Sequence, residues 1–445
     1  MSMKREFDLV NFTESEAKRC KVAPLSFDDV KVIIENDDST KLLEVINEGL
    51  LPDINMKGEC LIYPHKEHRG KYSATLLGLA LIRESIECVK VLLNSGADTS
   101  CKLVACYTSV LECACHSSSV ELVKLLIERG ITFDDQAIYR SFSHIYPIRG
   151  NDDKRDLIST ILLPYINDVN YEGYIGRTFL ILVCGKGNVT LAGAFLERGA
   201  YRDAVDQYGN DAVYYAADEG HLAVVKLLLD WNKSYPIPLN RLNRALIHAA
   251  VWSGQLEAAR ILTEYGANAH TAALLRSLSD NVWFVLSVPM ATFLLDHGAD
   301  VRATDSEGCS VLRRVIKQYN HWSRVTLVTL LLKRGADADE VISETGETLL
   351  LHYCRDDAEM VSILLFHGAD VNLAHAVTGE TPLMRAALMP NVGLVKIFLR
   401  FGADVNQTNF AGQTVLDKIS AARGGVYAEI AQLCVEHVNS KPVLK

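Results

Sequence analysis

A leucine-rich segment followed by Gly-Ala-Asp recurs along this chain and constrains its fold more than any other feature. Complete copies of the tripeptide begin at Gly96, Gly298, Gly335, Gly368 and Gly402, and weaker copies begin at Gly199 and Gly266. From Gly298 onward, successive glycines are 37, 33 and 34 residues apart. A period of this length is typical of one small structural unit stacked many times, in which each copy buries the apolar face of its neighbour.

The segment from residue 206 to residue 229 shows how one unit would fold. Asp206 and Gly209 form an Asp-x-x-Gly sequence, which is typical of a turn because Asp caps the backbone and Gly tolerates a positive φ. Gly220 separates a short segment containing Ala216 and Ala217 from a second, more apolar segment. The apolar stripe of the second segment consists of Leu222, Val225, Leu228 and Leu229. This spacing predicts two short antiparallel helices that need neighbouring copies to bury the stripe.

This unit resembles the ankyrin repeat. The match is best at residues 379–404, where Thr381-Pro382-Leu383 precedes two alanines and the unit ends in Gly-Ala-Asp. His248 occupies the family's histidine position, and Thr178 and Thr414 keep the threonine that would cap the first helix. The resemblance implies an all-α ankyrin-repeat solenoid of stacked antiparallel helix pairs with β-hairpin-like turns.

About twelve such units would cover residues 25–438, between a flexible N-terminal tail (1–24) and a short C-terminal tail (439–445). One continuous array is favoured, and two abutting arrays are the alternative. The repeat is irregular at residues 57–72, 139–155, 231–242 and 319–324. Pro289 lies in the expected second helix of its unit and is predicted to break or kink it.

The composition argues against several classes of function. With 45 basic and 55 acidic residues the net charge is −10, and no basic run is present, so nucleic acids and anionic membranes are not expected partners. The chain has no stretch of about 18 apolar residues, so membrane insertion is not expected either. The first 24 residues lack the apolar core of a signal peptide. Eleven cysteines in such a chain predict free thiols and a cytoplasmic location, with the nucleus as the alternative.

No motif for catalysis, cofactor binding or metal binding is complete. The densest group of potential zinc ligands is Cys101, Cys106, Cys113, Cys115 and His116. It lacks the usual paired cysteine spacing, and Cys115 aligns with a small buried alanine of the repeat, as does Cys184. His65 and His68 are a weaker metal hint, and Gly185-Lys186-Gly187 is only a fragment of a phosphate-binding loop. We therefore expect no metal, no cofactor and no enzymatic activity.

The family resemblance implies that turn tips and inner helices line one concave face, which would bind a protein partner. Tyr, Trp and Arg side chains most often dominate the energetics of such contacts. The residues predicted to contact the partner are Tyr174, Arg177, Lys186, Tyr208, Asn210, Asp218, Glu219, Trp252, Phe410 and Gln413. The predicted function is that of a monomeric, non-enzymatic scaffold or adaptor for a protein of unknown identity.

Two other functions are left open by the sequence. A catalytic activity could reside in the irregular stretches 139–155 or 231–242. Alternatively, the chain could be a substrate for asparaginyl hydroxylation, because Asn170 and Asn372 each follow a leucine by eight residues, as in the sites such enzymes use on ankyrin repeats. The plainer role of these asparagines is to hold the hairpin between repeats.

Overall fold

A computed structural model describes residues 23–62, 70–99, 109–145, 153–231, 236–251, 253–268, 270, 272, 287–318, 321–342, 345–354, 357–389, 391–420 and 424–440. More than half of these residues are helical, and the strands within them form two short hairpins. The predicted all-α class is therefore confirmed. The chain divides into two compact units between Ala212 and Val213.

The first unit is a succession of helix pairs. Its helices are α1 (Phe27–Glu35), α2 (Ser39–Asn47), α3 (Leu76–Ile82), α4 (Ile86–Asn94), α5 (Val110–His116), α6 (Val120–Glu128), α7 (Asp135–Ile145), α8 (Asp153–Leu162), α9 (Phe179–Cys184) and α10 (Val189–Glu197). The first helix of each pair, here called the inner helix, packs on the next inner helix along the chain. The second, or outer, helices also contact one another, as α6 does with α8 and α8 with α10.

The inserted stretch near residue 57 forms a hairpin rather than an irregular loop. Strands β1 (Lys57–Ile62) and β2 (Gly70–Thr75) pair antiparallel, with Lys57 opposite Thr75. The hairpin sits close to α1, because a Cβ on Gly58 would come within 2.2 Å of the Phe27 ring. Residues 63–69 lie outside the described part of the chain.

The second unit repeats the same plan. Its helices are α11 (Ala212–Asp218, of which the first residue belongs to the first unit), α12 (Leu222–Asp230), α13 (Leu239–Val251), α14 (Leu256–Glu264), α15 (Val288–Asp296), α16 (Val311–Gln318), α17 (His321–Lys333), α18 (Leu349–Tyr353), α19 (Ala358–Phe366), α20 (Pro382–Leu388), α21 (Val392–Arg400), α22 (Val415–Ser420) and α23 (Gly425–Ser440). Strands β3 (Val341–Ile342) and β4 (Glu347–Thr348) form the second hairpin. The outer helices α12, α14, α15, α17, α19, α21 and α23 pack in that order.

Local sequence sets where these helices begin and end. Thr75, Thr178, Thr348 and Thr381 each accept, through Oγ1, the N–H three residues ahead, at 3.1–3.4 Å. Such a cap is worth roughly 1 kcal/mol. At the outer helix ends, glycines such as Gly298 take a positive φ, 94° in this case. There the chain can turn back and satisfy the last carbonyls of the helix.

Small side chains let the inner helices approach one another closely, as the repeat pattern predicts. Ala216 and Ala217 are fully buried, and so are Cys115 and Cys184 at aligned positions. Burial raises the pKa of the Cys115 thiol to about 12, which keeps it protonated and unreactive. The seven cysteines whose side chains are described are all free and buried.

Two local expectations were wrong or incomplete. Pro289 neither breaks nor kinks its helix, because α15 begins at Val288 with Ser287 as its cap, so the proline lies in the first turn where its missing N–H is not needed. The irregular stretch 319–324 is helical from His321 onward, where it begins α17, which is 13 residues long. In its described part, the stretch 139–155 consists of the end of α7 and the start of α8. The stretch 231–242 includes the start of α13.

Candidate partner-binding site

The last hairpin turn of the first unit is built around the carboxylate of Asp206. Its Oδ1 accepts hydrogen bonds from the main-chain N–H groups of Tyr208 and Asn210, both at 2.9 Å. The main-chain N–H of Asp206 in turn donates to the carbonyl of Asn210 at 2.9 Å. Gly209 takes a φ of 76°, which glycine adopts at no steric cost. The turn predicted from Asp-x-x-Gly is confirmed, and it fixes the main chain at Tyr208.

Two tyrosines are exposed at neighbouring hairpin tips of this unit. Tyr174 is 82% exposed and Tyr208 is 58% exposed. The main chains of the two tips are joined directly, because the N–H of Gln207 donates to the carbonyl of Ile175 at 2.9 Å. Both rings are therefore open to solvent, but they are carried by a main chain that is already fixed. We call this pair the aromatic tips.

Three other predicted contacts in the first unit differ in their exposure. Arg177 Nε lies 3.7 Å from Asp206 Oδ2, and its side chain is only 32% exposed, so the arginine is partly used within the turn. Lys186 is exposed between α9 and α10, where the glycine-flanked segment is indeed an inter-helix turn. Asn210 is 7% exposed and lies inside the turn, so its side chain offers little surface to a partner.

In the second unit, α11 and α13 bring Asp218 together with His248. His248 Nδ1 lies 2.9 Å from Asp218 Oδ1, and the hydroxyl of Ser253 donates to the same oxygen. Burial would raise the pKa of Asp218, but these hydrogen bonds outweigh it and hold the pKa below its ordinary value of 3.8. Glu219 beside it is exposed. Two negative charges therefore stand at the end of α11 at neutral pH.

Sequence reasoning missed two members of this group. The rings of Tyr214 and His248 lie 4.5 Å apart, and the exposed Arg244 places its guanidinium carbon 5.9 Å from the centre of the Tyr214 ring. Tyr214 is four residues before Asp218, and Arg244 is four residues before His248, a spacing that puts each pair on one helix face. That spacing is the signal that could have identified them. Trp252, predicted to contact the partner here, lies outside the described residues.

Farther along the second unit, Phe410 is 74% exposed at a hairpin tip. Asn409 plays the part of the turn aspartate, since its Oδ1 accepts from the N–H groups of Ala411 at 3.0 Å and Gln413 at 2.9 Å. The Gln413 side chain is exposed and accepts a 3.2 Å hydrogen bond from Asn409 Nδ2. A Cβ on Gly379 would come within 2.7 Å of the Phe410 ring, so this ring packs on the preceding tip.

That preceding tip carries Val377, a second apolar residue that sequence reasoning did not select. Val377 is 74% exposed. The turn is held by His375 Nδ1, which accepts the N–H groups of Val377 at 3.1 Å and Thr378 at 3.2 Å. The N–H of Phe410 donates to the carbonyl of Thr378 at 3.1 Å. The two tips of the second unit are thus joined through the main chain, as in the first unit.

Consecutive repeats of the second unit are also joined by ion pairs between an inner helix and the residues just before the preceding inner helix. Glu347 accepts hydrogen bonds from Arg385 and, at 3.0 Å, from His352 Nδ1. Glu380 pairs with Lys418 and lies 3.8 Å from Arg385. Glu347 and Arg385 are each only 11% exposed. Positive and negative groups alternate in this network, which we interpret as a link between repeats.

Within the described ranges, no group of three or more His, Cys, Asp or Glu side chains is arranged to hold a metal ion. The candidate ligands Cys113 and Cys115 are buried. The other candidates lie outside the described residues: Cys101, Cys106, the side chain of His116, His65 and His68. In the same part of the chain, no helix is both long and apolar enough to cross a bilayer.

Comparison with known proteins decides the family. The sequence model of ankyrin repeats matches the chain three times, over residues 150–238, 318–409 and 354–442. The chain belongs to the ankyrin repeat family. Ankyrin repeats indicate a protein–protein interaction domain.

Curated proteins match parts of this chain. The ankyrin repeat protein nuc-2 of Neurospora crassa is 32% identical over 152 residues, which is 34% of this chain and 14% of the relative. The transient receptor potential cation channel subfamily A member 1 of Homo sapiens is 24% identical over 276 residues, 52% of this chain and 24% of the relative. The putative ankyrin repeat protein FPV022 of fowlpox virus is 23% identical over 261 residues, 56% of this chain and 40% of the relative. The chain spans less than half the length of each.

Two asparagines hold hairpins in this ankyrin repeat protein. The Oδ1 of Asn170 accepts the N–H of Tyr201 at 2.7 Å, while its Nδ2 donates to the carbonyl of Gly199 at 3.3 Å. Asn372 Oδ1 accepts the N–H of Asp404 at 2.7 Å. Each asparagine bonds a residue about 30 positions ahead, in the following repeat. The hairpin-holding role expected from the sequence is confirmed.

Proposed function

We propose that this chain is a non-enzymatic scaffold or adaptor that recognises a protein partner on the face shared by its hairpin tips and inner helices. The observation that carries the proposal is the pair of aromatic tips, Tyr174 and Tyr208. Both are exposed, and both stand on turns whose main-chain hydrogen bonds are already made. In the second unit, Phe410 and Val377 repeat this arrangement.

Exposed aromatic side chains on a fixed main chain favour recognition for an energetic reason. Association costs free energy when loops or side chains must be ordered, and this cost is reduced when the binding surface is formed in advance. Tyr adds a large ring and a hydroxyl at the cost of ordering only two side-chain torsions. The Tyr208 turn is closed by Asp206, and its tip is bonded to the Tyr174 tip, so a partner would not have to order either loop.

The charges of the inner helices add a basis for selectivity. Asp218 and Glu219 present negative charge at the end of α11, while Arg244 adds a cation over the Tyr214 ring. Charged groups of this kind steer association and reject wrong partners more than they add affinity. The second unit would therefore bind a partner segment with a cation opposite Asp218 and Glu219.

The arrangement at Asp218 also supports a non-enzymatic reading. A serine nucleophile is activated when its hydroxyl bonds the base that will take its proton. Here Ser253 donates to Asp218, and His248 contacts that same carboxylate oxygen. The serine proton is thus directed to the carboxylate and not to the imidazole. The curated relatives named above are repeat proteins or a channel by their names, and none is named as an enzyme.

The test is partner capture followed by quantitative binding. Partners would be isolated by affinity purification from cytosol with the full chain and then re-measured as purified proteins. The double substitution Tyr174→Ala and Tyr208→Ala should weaken binding to the first unit by at least about tenfold, as expected for loss of interface anchors. Tyr201→Ala is the matched control, because Tyr201 is 69% exposed in the same repeat but lies outside the tip.

The control should stay within about twofold of wild type, and circular dichroism should show that both variants are folded. If Tyr201→Ala loses the partner while the double variant keeps it, the binding surface is elsewhere. The proposal further includes a monomeric chain that binds protein and not nucleic acid, located in the cytoplasm or nucleus. Sedimentation tests whether the chain is monomeric, and cell fractionation tests its location.

A second candidate function is that of a hydroxylation substrate. Asn170 and Asn372 each bond the following repeat through the side-chain amide, so a modifying enzyme would have to open that contact to reach the side chain. Intact-mass measurement after exposure to an ankyrin asparaginyl hydroxylase should show the gain of one oxygen atom per modified site. An unchanged mass would contradict this role, and an Asn170→Ala variant identifies which asparagine reacts.

A further inference from the structure

The outer helices of the second unit form a groove that the proposed function does not use. It lies across α17, α19 and α21, which are outer helices of three successive repeats. Its volume is about 710 Å³. Its central apolar lining is Ile363, Phe366, Ile397 and Phe401, and Lys333 and Arg400 lie at its edge. We call this the outer groove.

The floor of the outer groove is more apolar than its residue types imply. Phe366 is 77% exposed and Phe401 is 40% exposed, so two aromatic rings face solvent within one groove. The hydroxyl of Thr329 donates to the carbonyl of Val325 at 2.7 Å, and the hydroxyl of Ser362 donates to that of Ala358 at 2.7 Å. Because each hydroxyl proton is used within its own helix, the floor offers a ligand little beyond apolar contact.

The register of the repeats singles out this site. The last residue of each outer helix that precedes a repeat-ending glycine is Asn47, Asn94, Glu128, Glu197, Glu264 and Asp296 in the first six cases, and Lys333, Phe366 and Arg400 in the last three. A cation at a helix C-terminus is favourable in itself, which accounts for Lys333 and Arg400 singly. It does not account for an exposed phenylalanine between them.

The charges at the edge of the groove define the chemistry of its ligand. In the described part of the chain, Lys333 and Arg400 are paired with no carboxylate. Glu359, at the other end of the groove, already has a partner. The charged groups at the C-terminal ends of α17 and α21 are therefore both positive, in a chain whose net charge is −10. A ligand with carboxylates beside its apolar residues is complementary to this edge.

We propose that the outer groove is a second docking site, which binds an acidic amphipathic helix of another protein. A helix fits because it satisfies its own main-chain hydrogen bonds and presents apolar residues at i, i+3 or i+4, and i+7 to a groove of side chains. A peptide that binds by strand pairing would need an open sheet edge, whereas the groove is lined by residues of three helices and their ends. A membrane surface is the alternative that the vesicle experiment below tests.

The test begins with selection from a display library of helical peptides, using the full chain as bait. The library fixes an apolar stripe and varies the flanking positions among Asp, Glu, Lys, Arg and Gln. We expect enrichment of clones with acidic flanks. Purified peptides should then bind at least about tenfold more weakly to Phe366→Ala, because the ring would be a central anchor. The double variant Lys333→Glu and Arg400→Glu should reverse the preference toward basic flanks.

Val435→Ala is the control, since Val435 is also an exposed apolar residue of an outer helix of the second unit, α23, with 47% of its surface exposed, but does not line the groove. It should leave peptide affinity within about twofold of wild type. The proposal is overturned if no clone is enriched, if basic flanks are enriched, or if Phe366→Ala and Val435→Ala behave alike. Co-sedimentation with phosphatidylserine vesicles that Phe366→Ala abolishes would also overturn it, in favour of a membrane. None of these outcomes bears on the aromatic tips, because Tyr174 and Tyr208 are unchanged in these variants.

Discussion

The Asp206 turn allows the clearest test of how the aromatic tips are held. Asp206→Ala removes the acceptor for two main-chain N–H groups. That of Asn210 belongs to a buried residue and would be left unsatisfied, at a cost of about 1–3 kcal/mol. The N–H of Tyr208 lies at an exposed tip where water can replace the carboxylate, so its loss adds at most about 1 kcal/mol. Arg177 Nε lies 3.7 Å from the other carboxylate oxygen, beyond hydrogen-bond distance, so this contact adds less than the two hydrogen bonds.

The substitution should therefore weaken the local structure by about 2–3 kcal/mol. Because the chain has two compact units, a single global unfolding curve does not isolate this effect. Hydrogen exchange followed by mass spectrometry does, since amides protected by the local structure exchange in proportion to its opening. In peptides covering residues 171–212, exchange should become about 30- to 150-fold faster, with tenfold corresponding to about 1.4 kcal/mol.

Asp206→Asn is the matched control, and the chain itself supplies the precedent. Asn409 makes the same two hydrogen bonds, at 3.0 and 2.9 Å, with an amide oxygen. The asparagine variant should thus exchange within about threefold of wild type. Equal damage from Asn and Ala would refute the reasoning, because it would mean that the charge and not the acceptor geometry holds the turn. So would an alanine variant with unchanged exchange.

Three further predictions concern packing, acid stability and thiols. Ala216→Leu should overpack a fully buried inner helix and weaken its structure by about 1–3 kcal/mol, as measured by hydrogen exchange in peptides covering residues 213–230. Ala223→Leu, on the exposed face of the next helix, should be nearly neutral. Burial would raise the pKa of Glu347, but hydrogen bonds from Arg385 and His352 lower it below its ordinary value of 4.5. The ionised Glu347 therefore stabilises the folded chain above that pH, and this contribution is lost as the pH falls through the lowered pKa. Glu347→Gln should weaken the local structure by on the order of 2 kcal/mol at pH 7 and flatten the decline in its stability below about pH 4.5, as followed by hydrogen exchange in peptides covering residues 345–354 at several pH values. Titration of the unfolded chain without reductant should detect eleven thiols, and several missing thiols would contradict a reducing compartment.

The repeat was predictable from sequence because its determinants are local. The threonine caps, the glycines at helix ends and the alanines at inner-helix contacts all act within a few residues, and the structure confirms each of them. The effect of Pro289 was predicted wrongly because it depends on where the helix starts. A proline breaks a helix in its interior but is well tolerated in its first turn, and the two positions differ by only a few residues. The hairpin of residues 57–75 depends on pairing across an insertion, which no short pattern encodes.

The candidate site was predictable at its tips but not in its clusters. Tyr208 and Phe410 follow from the Asp-x-x-Gly and Asn-x-x-Gly turns that contain them, because a residue inside such a turn has few neighbours. Tyr174 follows from the aligned position of its own repeat, where the sequence is Gly-x-x-Gly. The buried position of Asn210 does not follow, since it depends on how the turn closes. The outer groove was not predicted from sequence because its lining comes from three helices, each in a different repeat.

The hydrogen bonds between successive tips have a consequence for how such a protein can change over evolution. Gln207 to Ile175 and Phe410 to Thr378 are main-chain contacts, so they depend on the path of the backbone and not on the identity of the tip side chains. Substitutions of the Tyr208 side chain can then alter what is recognised while the stack keeps its stability. A lineage could exchange one partner for another by single substitutions, without first acquiring compensating changes in the core.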